Sequence, residues 1–300
     1  MRSVKMLRFS LLLTVVAVVG WQAVRAARAG WYEYRLFHLP PAVPTMPTDA
    51  SQLGLQPVEF PSADGTALRG WYIPSRNGTA IVTAGGSSSD RRNMLDHARA
   101  LHGSGMGVLL FDWPGTGASG GRIGLGAAER DALHGAVTFV AGQPDVAAGK
   151  IGVLGFSLGA YTTLLVAADD PRVRVVAVEG AFRNFEEQTR VEYQRSGVAV
   201  QWGALAGARL GGMERNGPDV LAAAARISPR PLLFVAGRAD HSVPPASTQV
   251  VFDAAREPKS LWLIAGAGHG EYLAADTTYG PRLRQYLADA LLVHQTTANR

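Results

Sequence analysis

The sequence predicts an α/β fold, a mostly parallel eight-stranded sheet with helices on both faces. Two patterns carry this. Six short runs are apolar throughout: 79–84, 107–112, 151–156, 173–178, 231–236 and 260–265. Most are separated by stretches of helical spacing near 90–102, 127–141, 158–168 and 246–256, with a last one near 281–294. A strand that is apolar on both faces is covered on both faces, and parallel neighbours need helical crossovers. With 300 residues, 47% of them apolar, the chain can bury one large core.

The N-terminus comes first. Arg2, Lys5 and Arg8 precede "FSLLLTVVAVVG", and the apolar stretch runs from Leu7 to Val24 before Arg25. That length barely spans a bilayer core. Trp21, Trp31, Tyr32 and Tyr34 cluster at its far end, where amphipathic rings favour the interface. Residues 1–30 are therefore expected to be a retained single-pass anchor with the remainder extracytoplasmic. Ala27-Arg28-Ala29 leaves open the alternative of secretion after signal cleavage. Residues 31–54 are expected to form a linker, since 36–50 hold four prolines and no periodicity.

A catalytic domain is expected over 55–300. It opens with a hairpin in "VEFPSADGTALRGWYI", turning at Asp64-Gly65. The strand–helix rhythm then breaks once, between Glu179 and Arg230, and this interval is expected to be a small cap at about 181–230. Within it Gly203, Gly207 and Gly211 are four apart and would give a helix one flat face for close packing.

Composition narrows the chemistry. Cysteine is absent, which excludes disulfides, a thiol nucleophile and thiolate metal sites. The net charge is +5, but the basic residues are scattered, so nucleic acid is not an expected partner. There is no H-E-x-x-H. A G-x-G-x-x-G at Gly115–Gly120 opens no helix and has no acidic strand end about twenty residues on, so neither a metal nor an organic cofactor is expected.

Two segments match G-x-S-x-G. Ser157 follows the buried run "IGVLGF" and opens a helical stretch, giving strand, tight turn and helix. That arrangement lifts a hydroxyl above a sheet and sets it against the free N–H groups of a helix start. Ser119 lies in "DWPGTGASGGRIG", a glycine-rich loop with no helix beside it, and is read as structural. A serine needs a base, and the base needs an orienting acid. His269 stands in "AGAGHGEY" directly after the last strand, while His97, His102 and His134 fall on helices. Three carboxylates follow strands: Asp240 in "GRADHSVP", Glu179 and Asp112. Asp240 leads because Ser, Asp, His is the chain order used on this kind of sheet. Oxyanion donors are expected from Leu158, next after the serine, and from Gly86 in "TAGGSSSDRR", with Ser87 as the alternative.

With "FDWPGTGASGG", "GFSLGA", "GRADHSVP" and "GAGHGEY" in this order, residues 55–295 resemble the α/β-hydrolase superfamily, specifically its membrane-anchored BEM46-like and dienelactone-hydrolase-like serine hydrolases. The resemblance implies an α/β-hydrolase fold with a cap after the sixth strand and a triad of Ser157, Asp240 and His269. It implies hydrolysis of carboxylic esters or related small acyl compounds through an acyl-enzyme. An acyltransferase or thioesterase on the same triad is the alternative within the fold, and a non-catalytic membrane-tethered binding protein the alternative outside enzymology.

Overall fold

The computed structural model describes residues 2–38, 42–87, 89–214 and 217–292; His294 and the end of the helix expected to reach it lie outside these. In chain order the elements are α1 (Arg2–Leu36), α2 (Ala50–Leu53), β1 (Gln56–Pro61), β2 (Ala67–Ile73), β3 (Gly78–Ala84), α3 (Leu95–His102), β4 (Gly107–Phe111), α4 (Ala127–Ala141), β5 (Val146–Phe156), α5 (Leu158–Asp169) and β6 (Val173–Glu179). There follow α6 (Phe185–Glu192), α7 (Val198–Gly211), α8 (Val220–Ile227), β7 (Leu232–Gly237), α9 (Pro245–Ala254), β8 (Lys259–Ile264), α10 (Tyr272–Ala275) and α11 (Tyr279–Leu292).

The eight strands form one sheet in the order β1-β2-β4-β3-β5-β6-β7-β8. β1 and β2 form the expected hairpin, β2 meets β4 antiparallel, and every later pair is parallel. The apolar runs are continuous because alternate residues enter two different cores. Val153, Val176 and Phe234 join one core with α4, α5, α8 and α9. Their neighbours Leu154, Ala177 and Leu233 join the other, with α3 and α11. Phe234 is wholly buried, a burial worth roughly 1.5–3 kcal/mol.

Two boundaries differ from the sequence expectation. Residues 31–36 are not linker but the end of α1, and only 42–47 lack regular structure before a turn leads into α2. The interval after β6 is not one unit: Val220, Ala223, Ala224 and Ile227 of α8 pack into the first core, which leaves α6 and α7 as the elements standing off the sheet. Every residue of α1 from Arg8 to Trp21 is exposed, whereas Ala29, Glu33 and, just past the helix, Phe37 are buried.

The glycines of α7 explain that burial. A Cβ at Gly203 would lie 2.2 Å from the Ala26 carbonyl oxygen, and one at Gly207 would lie 1.8 Å from that of Gly30. The two helix backbones touch, and only glycine permits it.

Candidate active site

The carboxyl ends of β5, β7 and β8 deliver three side chains to one point. Ser157 links β5 to α5 with φ +54°, a left-handed backbone angle rare outside glycine, and its N–H is held by the Glu179 carbonyl. Strand and helix approach so closely there that a Cβ on Gly155 would sit 2.3 Å from the Gly159 carbonyl oxygen. The two flanking glycines are what this turn requires.

His269, in the loop after β8, places Nε2 3.0 Å from Ser157 Oγ and Nδ1 2.8 Å from Asp240 Oδ2. Asp240, after β7, is 2% exposed, and its Oδ1 accepts hydrogen bonds from the N–H groups of Ser242 and Val243. The Phe156 ring packs on the imidazole with centroids 4.7 Å apart. The three residues singled out from sequence are thus joined in one hydrogen-bonded line.

The other candidates are engaged elsewhere. Ser119 Oγ accepts from the Arg69 N–H and donates to the Asp112 carbonyl, so it ties the glycine loop together. Asp112 takes the Arg91 guanidinium and the N–H groups of Arg91 and Ala118. Glu179 is fully buried and bonds His97 Nε2 at 2.9 Å and the Tyr279 hydroxyl. Burial pushes the Tyr279 phenol far up, and the Glu179 charge pushes it further, so it stays a donor. For His97, burial opposes the charged form, but the Glu179 carboxylate outweighs it and the pKa is raised.

Leu158, first residue of α5, has an N–H with no partner among the described residues, at the positive end of the helix. Gly86 corrects the sequence expectation. Its N–H already donates to Asn93 Oδ1 at 2.9 Å, a side chain nothing in the local pattern marked. Among the described residues of that loop, Ser87 lines the cavity.

That cavity, about 180 Å³, lies over Ser157 and His269, roofed by Phe185 and Thr189 of α6 and Met213 beyond α7. Glu33, Leu36 and Phe37 form another wall, so the end of the N-terminal helix borders the site. Glu33 is fixed by a 2.8 Å hydrogen bond from the Tyr193 hydroxyl. Among the described residues no group of three or more His, Asp or Glu could hold a metal ion.

This sheet order, with its serine turn after β5, defines an α/β hydrolase, and the chain belongs to that superfamily. It is 32% identical over 269 residues to the uncharacterized protein Rv2307c of Mycobacterium tuberculosis, covering 86% of this chain and 88% of that one. Residues 82–227 match the model of the X-Pro dipeptidyl-peptidase (S15) family. The polyketide transferase GrgF of Penicillium is 28% identical over 274 residues, covering 76% of this chain and 93% of that one. Its solved structure, titled an α/β hydrolase, superposes with a TM-score of 0.65 at 25% identity, covering 79% of this chain and 99% of the other. A Pyrococcus furiosus esterase superposes with a TM-score of 0.68 at 20% identity over 83% and 97% of the two chains, a likeness of fold.

Proposed function

We propose that the protein is a serine hydrolase of carboxylic esters or related acyl compounds, working through Ser157, His269 and Asp240. The observation that carries this is the unbroken line Asp240–His269–Ser157 at 2.8 and 3.0 Å. His269 Nε2 takes the Ser157 proton as Oγ attacks the acyl carbonyl, and Asp240 stabilises the imidazolium formed. The oxyanion is received by the N–H of Leu158, with Ser87 as second donor in place of Gly86. The imidazolium then gives its proton to the leaving alcohol. Water, deprotonated by the same imidazole, releases the acid and regenerates the serine.

The cavity of about 180 Å³ is small beside the roughly 300–1,000 Å³ of ordinary ligand pockets, which favours short acyl groups. Activity against p-nitrophenyl esters of increasing acyl length tests both points. Hydrolysis should be greatest for two to four acyl carbons, and absence of hydrolysis at every length would end the ester reading. The likeness to a polyketide transferase favours a second reading, in which an alcohol or thiol replaces water at deacylation. Added acceptor alcohols, with product analysis for new esters, separate the two.

The N-terminal helix is read as a retained anchor. Its span Arg8–Leu36 is long and apolar enough to cross a bilayer. Cleavage after Ala29 would fall inside a helix docked on α7 and remove Ala26 from its contact with Gly203. Intact mass of the protein from its native host tests this: a mature chain beginning at Gly30 would overturn it.

A further inference from the structure

We propose that α7 is a second membrane contact, seating the cap on the interface of the bilayer that holds α1. This rests on the retained-anchor reading and is independent of the ester reading. The outward side of α7 carries an apolar stripe at four-residue spacing. Val198, Trp202 and Leu210 are 67%, 53% and 79% exposed, and Ala206 between them is exposed as well. A cap helix facing water has no use for such a row, since surface helices turn polar residues outward.

The inward side says what covers the stripe. Gly203 meets Ala26, Gly207 meets Gly30 and Gly211 meets Phe37, so α1 and α7 run in the same direction in backbone contact. The start of α7 is therefore at the height where α1 leaves the bilayer. Between α1 and α7 lies an apolar trough bordered by Ala27, Trp31, Ala206 and Leu210, which joins the stripe to the anchor's own surface.

Length supplies the driving force. Between Arg8 and Arg25 α1 holds sixteen uncharged residues. At 1.5 Å per residue they span about 24 Å, so a ~30 Å hydrocarbon layer takes in about four more residues of the same helix, past Arg25. A short span draws its flanking residues toward the lipid or thins the bilayer. The residues drawn in here are Trp202, next to Gly203 where that glycine meets Ala26, and Val198 one turn before it. A cation stands where headgroups would be, Arg195, exposed just before α7; the Arg190 guanidinium, paired with Glu186 at 3.0 Å, lies 4.8 Å from the Trp202 ring centroid. Since α1 and the end of α7 also border the cavity over Ser157, docking would bring that cavity beside the interface.

The chain has no cysteine, so one introduced cysteine gives a unique label. Full-length Val198→Cys and Trp202→Cys are labelled with a nitrobenzoxadiazole dye and reconstituted into phosphatidylcholine–phosphatidylglycerol vesicles. Leu13→Cys in the exposed part of α1 and Arg256→Cys, before β8 at the opposite end of the sheet, are the references. Doxyl-labelled phosphatidylcholine should quench the Val198 and Trp202 labels about threefold or more beyond the Arg256 label, approaching Leu13. Quenching no greater than at Arg256, from water or from a second copy covering the stripe, overturns the proposal. An unquenched Leu13 label overturns it together with the anchor reading. Turnover does not enter the readout, so failure of the ester reading leaves the result interpretable.

Discussion

Asp240→Asn is the substitution whose effect follows most directly from the geometry. Asp240 Oδ1 accepts two backbone hydrogen bonds, from Ser242 at 2.9 Å and Val243 at 2.8 Å, while Oδ2 faces His269 Nδ1. An asparagine would keep its oxygen toward those two donors, because turning its amide there would leave buried donors unpaired at about 1–3 kcal/mol each. Its NH2 group then points at Nδ1 and donates to it. The imidazole answers by carrying its proton on Nε2, the nitrogen 3.0 Å from Ser157, and can no longer accept the serine proton. The side chain keeps its size, so folding survives while kcat falls about 10⁴-fold, on the order of 5.5 kcal/mol of transition-state stabilisation. The assay is kcat on p-nitrophenyl acetate with thermal melting on the same preparation. A loss under tenfold, or a larger loss from Glu179→Gln, would refute the tautomer argument and move the acid to the end of β6.

Other expectations follow from single contacts. Ser119→Ala removes two hydrogen bonds from the glycine loop, and should cost about 1–2 kcal/mol in denaturant unfolding while most ester hydrolysis persists. Gly207→Ala puts a methyl 1.8 Å from the Gly30 carbonyl oxygen, so α1 must move off α7. An overpacking cost of about 1–3 kcal/mol is expected in thermal melts, with weaker binding of short esters because Leu36 and Phe37 shift from the cavity wall. Asp170 is pushed up by burial, but His134 and Arg172 outweigh this and hold it below the usual carboxylate range. Its stabilising effect is therefore present above the unfolded carboxylate pKa near 4 and is lost as pH falls toward the lowered value. In melts across pH 2–7, Asp170→Asn should lower Tm at neutral pH and flatten the acid limb; an unchanged acid limb would contradict this.

The strands were legible because their two-sided burial leaves unbroken apolar runs, as in "IGVLGF". The site was legible where local backbone demands fix residue type. Gly155 and Gly159 flank Ser157 because the turn admits no Cβ, and Asp240 and His269 stand in loops at the sheet's carboxyl end. The oxyanion loop was not, since whether the Gly86 N–H is free depends on the Asn93 side chain, seven residues away. The spacing of Gly203, Gly207 and Gly211 announced a close helix contact without naming its partner. Arg25 and Arg28 end the apolar run but not the helix, so α1 continues to Leu36 and reaches the cavity. The spacing of Val220, Ala223, Ala224 and Ile227 already had a core-facing period, which separates α8 from the cap.

Fluorophosphonate labelling of the full-length protein, followed by peptide mass mapping, tests whether Ser157 is the nucleophile. An activated serine is phosphonylated at Oγ, whereas an ordinary surface hydroxyl is not. The label is expected on the peptide containing Ser157, is expected to vanish in Ser157→Ala, and is expected to persist in Ser119→Ala. Labelling at Ser119, or a folded Ser157→Ala protein that labels as well as the parent, would rule out Ser157 as the nucleophile.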